Sequence, residues 1–107
     1  MDQEIIELIL DGGDARTKAI EAMNLLKDNE FEKAREAMKE CNDNILKAHK
    51  AQTRMLQNEA SGCQQTVQLL MVHAQDHLMD AMVIRDIVTN LIDIQEANYR
   101  LITDLRR

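Results

Sequence analysis

At 107 residues the chain has room for one domain on one core and not for two. A net charge of −6 argues against a nucleic-acid partner, because neutralising phosphates takes clustered Lys and Arg, and no basic stripe with interleaved aromatics occurs. No apolar run approaches the roughly 20 residues of a bilayer span and no basic-then-apolar leader opens the sequence, so a cytoplasmic protein without membrane insertion is expected.

One Phe, one Tyr, no Trp and 7 Met leave a core that must be aliphatic and Met-rich. With no Pro and only 3 Gly, and with Ala, Leu, Glu, Lys, Gln and Met abundant, the composition predicts an all-α fold. Cys41 and Cys63 lack CxxC spacing and read as reduced, inert thiols.

The first helix is predicted from about residue 2 to 28, with Ile5, Ile9, Ala19, Met23 and Leu26 at helical spacing and Gly12 in the same row. The pair Gly12-Gly13 either breaks the helix or lets a neighbour approach closely, and the helix-compatible sequence after it favours one helix, straight or bent. Arg16 is the exception on this inner row and reads as a snorkelling surface side chain. Residues 27 to 30 form a polar connector with Asn29 as a cap.

Helix two is predicted over about 30 to 59. Phe31, Ala34, Met38, Cys41, Ile45, Ala48, Gln52 and Met55 step by threes and fours, the pattern of a helical bundle. His49 flanks that seam and reads as structural. Ser61-Gly62 marks the second turn.

Helix three, predicted over about 64 to 105, is long enough to overhang the other two. Its first half is apolar on more than one side: Met71, Leu78 and Met82 lie nearly opposite His73, with Val72, Met79 and Val83 between. Two helices of the same chain cannot cover all of that, so an oligomer built around helix three is expected.

At about 100° per residue, His73, Asp76, His77 and Asp80 share one side of this helix, in line with Ile84, Ile87, Val88 and Leu91. Such a stripe predicts two imidazoles and two carboxylates facing inward, where burial without partners is costly. His73 and His77 form an HxxxH pair, but Ala74 stands where a zinc protease carries its Glu, which argues against that chemistry. Spacing alone leaves three readings open: a buried polar cluster, a metal site on His73, Asp76 and His77, or a histidine-centred transfer site.

The run VHAQDHLM from Val72 to Met79 resembles the active-site motif of the lactose/cellobiose-type IIA components of the bacterial phosphoenolpyruvate-dependent sugar phosphotransferase system. Residues 13 to 16 (GDAR), 29 to 34 (NEFEKA) and 48 to 56 (AHxxQTxML) resemble the same family in the same order. The resemblance implies a three-helix, up-down-up subunit assembled as a homotrimer with a nine-helix bundle. It also implies that His73, through Nε2, accepts a phosphoryl group from the phosphocarrier HPr and passes it to a cysteine of the cognate IIB component. Gln75 and His77 would be auxiliary, from their own or an adjacent subunit. Asp76 would meet its symmetry mates around a divalent cation, Mg2+ by expectation, since a hard cation with oxygen ligands offsets the repulsion of converging carboxylates. Asp80 departs from the Thr common after HLM, and points either to solvent or toward the metal or His77. The competing expectation is a non-enzymatic helical oligomer with a structural metal at His73, Asp76 and His77.

Overall fold

A computed structural model describes residues 3–62 and 66–106. Three helices account for most of them: α1 over Gln3–Leu25, α2 over Phe31–Ala60 and α3 over Leu69–Leu105, with a 3-10 turn at Leu26–Asp28. Asn29 ends that turn in the left-handed region at φ 56°, and its N–H donates to the Leu26 carbonyl at 3.1 Å. Asparagine tolerates this backbone better than most side-chain-bearing residues, so the expected polar connector forms where Asn29 allows it. α3 starts later than the sequence predicts. Gln64 and Cys63 lie outside the described residues, Thr66 and Val67 are not helical, and Gln68 is extended at φ −110° and ψ 156° before the first helical turn. β-branched Thr66 and Val67 lose side-chain freedom in a helix, which favours the extended lead-in.

Pairs across the bundle fix its direction. Lys18 meets Glu40 at 2.9 Å and Arg54 pairs with Glu7, so α1 and α2 run antiparallel. Arg35 bridges Asp93 at 3.1 Å and Glu96 at 2.8 Å, and Gln52 bonds Gln75 at 2.8 Å, so α2 and α3 are antiparallel too. The order is therefore up-down-up. With extents of 66 × 19 × 19 Å the subunit is a rod, and α3 supplies its overhang: from Ala97 onward its side chains are exposed, apart from the ring contact of Tyr99 with Phe31 at 5.6 Å.

The core is alanine-rich rather than Met-rich. Among the described residues nine of the twenty buried apolar ones are Ala and only Met38 and Met55 are Met, so the helix axes can approach closely and the larger contacts fall to a few residues such as Leu8, Leu78 and Ile92. Fully burying each of those three contributes about 1.5–3 kcal/mol. The α2 seam matches the predicted row, with Gln52 half-buried as its polar member. In α1 the row lies one residue earlier at alternate steps: Leu8, Ala15 and Ala22 are buried, Ile9 is half-buried, and Arg16 and Met23 are exposed. Small Ala15 and Ala22 carry the contact because only small side chains fit where two helices meet closely.

α3 turns Ala74, Leu78, Ala81, Val88 and Ile92 toward α1 and α2. Away from them it leaves Val72, Met79, Val83, Ile87, Ile94 and Leu101 exposed in a second row, with Asp76 in line. Steps of three, four and seven make this a coiled-coil seam without a partner among the described residues.

Candidate functional site

His73 lies one turn into α3 and opens onto a cavity of about 470 Å³ lined by Leu69, Leu70, Val72, His73 and Asp76. Its ring holds no hydrogen bond with the described residues, so both nitrogens are available. The late start of α3 builds this place, because it leaves Leu69 and Leu70 on the first turn, where they form an apolar collar beside the imidazole.

His77 is fixed from two sides. Its Nδ1–H donates to the His73 carbonyl at 3.2 Å, and the two rings meet edge-on at 4.5 Å with 67° between planes. A proton on Nδ1 leaves Nε2 as the ring's free atom, an acceptor in the neutral ring and a donor once protonated. Behind it, α1 brings Gly12 against the His77 backbone and Gly13 near its ring. The close-approach reading of the glycine pair thus holds, and α1 continues through it as one helix.

The stripe does not face the chain's own core. His73, Asp76 and Asp80 are exposed, His77 is half-buried, and Ile87 is exposed where Val88 beside it is fully buried. The expectation of an inward polar stripe fails within one subunit, because the face that α1 covers is centred on Ala74, Leu78 and Ala81, on the far side of the helix from Asp76. No charged or polar side chain is buried among the described residues.

Gln75 points elsewhere. Two residues along a helix separate it from His73 by about 160° around the axis. It is half-buried toward α2, where Gln52 Nε2 donates to its Oε1 at 2.8 Å. His49 is exposed on α2 and does not line the cavity.

The comparisons with known proteins bear on this arrangement. Residues 3–96 match the family described as PTS system, lactose/cellobiose-specific IIA subunit. The chain belongs to that IIA family. The lichenan-specific phosphotransferase enzyme IIA component of Bacillus subtilis (strain 168) is 43% identical over 96 residues, 90% of this chain and 87% of the relative. The crystal structure of the cellobiose-specific enzyme IIA from Bacillus anthracis superposes with a TM-score of 0.88 at 36% identity, over 92% of this chain and 90% of that one. The IIA(chitobiose) chain in solution structures of the Escherichia coli IIA(chitobiose)–HPr complex gives a TM-score of 0.77 at 32% identity, over 91% and 94% of the two chains.

Within one copy of this IIA subunit the side chains of the competing metal reading are not gathered. Among the described residues no three His, Cys, Asp or Glu side chains come together to hold a metal, and His73, Asp76 and His77 do not close on one point. Asp80 is exposed and makes no hydrogen bond or ion pair with the described residues. Cys41 is buried, and desolvation pushes its thiol above the ordinary range, with Arg85 opposing, which suits an inert thiol. No helix among the described residues is long and apolar enough to cross a membrane. The apolar collar of Leu69 and Leu70 was not singled out from sequence, although the β-branched pair before it was the available signal.

Proposed function

We propose that the chain is a phosphoryl carrier of a lactose/cellobiose/chitobiose-type sugar phosphotransferase system in the cytoplasm, taking a phosphoryl group from HPr on His73 and passing it to a cysteine of the cognate IIB component. The observation that supports this most is an imidazole with two unengaged nitrogens, exposed in an open, apolar-collared cavity that a partner protein can reach. In the first transfer the lone pair of His73 Nε2 attacks phosphorus while the bond to the donor atom breaks and its electron pair stays with the donor. In the second, the IIB thiolate forms a P–S bond and the P–N bond returns its pair to His73. Positioning and charge stabilisation dominate such reactions.

The unpartnered seam of α3 supports a homotrimer, with third helices packed on one another and α1 and α2 outside. A continuous apolar row of this length on a short rod favours further copies of the same chain as its cover. In that assembly His73 and Gln75 lie on opposite flanks of α3, so the Gln75 that serves an imidazole comes from an adjacent copy. His77 serves the His73 of its own chain, one turn away.

Asp76 sits in the seam and would face its two counterparts. Its exposed carboxylate has no ion pair with the described residues, and one such group per copy suits a hard divalent cation such as Mg2+. Bound there, the cation would neutralise the converging charges and hold the helices together.

Incubation with phosphoenolpyruvate, enzyme I and HPr tests the reading. The wild-type chain should gain one acid-labile, base-stable phosphoryl group and His73→Ala none. A mass gain that persists in His73→Ala overturns the assignment.

A further inference from the structure

Gln52 is the polar member of an otherwise apolar seam on α2, where Ala48 and Met55 on either side of it are buried. It is half-buried, and its Nε2 donates to Oε1 of half-buried Gln75 at 2.8 Å. A side-chain amide has one oxygen that accepts and one nitrogen that donates twice. With its oxygen engaged by Gln52, Gln75 has its N–H end left to offer. Transferring phosphoryl groups present acceptor oxygens, so a donor is the complementary end and the amide oxygen is the repulsive one.

We infer that Gln52 is a positioning residue for phosphoryl transfer: its hydrogen bond sets which end of the Gln75 amide is turned outward. The inference rests on the phosphoryl-carrier reading above. Gln52 does not itself touch the reacting atoms. It acts from α2, the antiparallel neighbour of α3, through a contact that ties the two helices near the level of His73. Replacing it with an apolar residue of similar length releases the amide to rotate. A carboxylate in its place accepts only, so it captures the Gln75 N–H and turns the oxygen outward.

The test uses the assembled full-length chain with phosphorylated HPr. Gln75→Ala should slow transfer to His73. Gln52→Glu should slow it by about tenfold, the size of one hydrogen bond to a charged group, and Gln52→Met by less. The loss should fall on kcat rather than KM, because Gln52 acts through the Gln75 amide on the transferring group. In a Gln75→Ala background neither Gln52 substitution should slow transfer further, since the effect passes through the amide. A purely structural Gln52 would lower the rate equally with or without Gln75, and that result overturns the inference, as does a wild-type rate in Gln75→Ala. Should Gln52→Glu fail to fold, as read by its thermal transition, Gln52→Met and its pairing with Gln75→Ala decide the matter alone. Phosphorylation persisting in His73→Ala would instead refute the carrier reading, so the two failures are distinct.

Discussion

A β-carbon at residue 12 would stand 3.0 Å from the carbonyl carbon of His77 and 3.1 Å from both its carbonyl oxygen and its own β-carbon. The close crossing of α1 and α3 therefore depends on Gly12 having no side chain, and the crossing seats the second imidazole of the site. Gly13, one residue on, has only the His77 ring within reach, at 3.8 Å, which is ordinary contact.

The two glycines should respond oppositely to the same substitution. Ala in a helix interior gains roughly 1 kcal/mol over Gly. At residue 13 nothing opposes that gain, so Gly13→Ala should raise the thermal transition. At residue 12 the new methyl meets backbone, which cannot swing away, and overpacking costs about 1–3 kcal/mol. Gly12→Ala should therefore lower the transition and slow phosphoryl acceptance by displacing His77. Melting curves followed by circular dichroism check the first, and a Gly12→Ala protein as stable as Gly13→Ala would contradict the packing.

Asp11, beside this crossing, makes stability depend on pH. Desolvation raises its carboxyl above the ordinary carboxylate range, Lys47 opposes, and Asp14 and Glu7 add to the rise. Between the ordinary value and the raised one, the folded chain binds the proton more tightly than the unfolded chain. Stability from this group is therefore present at lower pH and is lost as pH climbs through that window. Asp11→Asn removes the penalty, so its melting temperature should exceed that of wild type at pH 7, by an amount within the usual range of about 0.5 kcal/mol for a surface change. The advantage should shrink below the ordinary carboxylate range. An advantage that grew on acidification would refute the sign.

Much of this was legible in the sequence, and each miss has its own physical cause. The α2 row from Phe31 to Met55 is apolar on one side only, so its periodicity alone identified the core face. Helix α3 is apolar nearly all round. There periodicity finds stripes but cannot say which belongs to the same chain, and Leu78 and Ile87 look alike as letters although one is fully buried and the other exposed. The row in α1 slipped because Ile9 and Met23 outweigh Ala15 and Ala22 on any hydrophobic scale, whereas close packing selects the smaller residues. The clasps of Arg35 on Glu96 and Arg54 on Glu7 join residues far apart in the chain, and no local pattern announces them.

The seam left open on α3 should control assembly without controlling the fold of the subunit. Val83 and Ile87 are more than half exposed within one chain, so glutamate at both should cost the subunit little. In a trimer the same positions bring like charges together in a desolvated layer, which is strongly unfavourable. Val83→Glu with Ile87→Glu should keep its far-ultraviolet helical signal and sediment near the 12.3 kDa of a single chain. Wild type sedimenting at that mass would remove the trimer from the account.

The proposed division of labour between copies makes a sharper demand on the site. His73 and Gln75 sit about 160° apart on α3, so a chain that lacks one can be completed by a neighbour that has it. Mixed assemblies refolded from equal amounts of His73→Ala and Gln75→Ala chains place an intact His73 beside an intact Gln75 at about a quarter of the interfaces of a closed ring. Rapid-quench measurement with phosphorylated HPr should then show a fast phase of about that amplitude, at the wild-type rate, on top of the slow phase of Gln75→Ala alone. If both groups acted within one chain, no mixture could restore a complete site and the fast phase would be missing. Its absence from assemblies proven to be mixed by mass spectrometry would place Gln75 beside its own His73, against the geometry of the helix that carries them both.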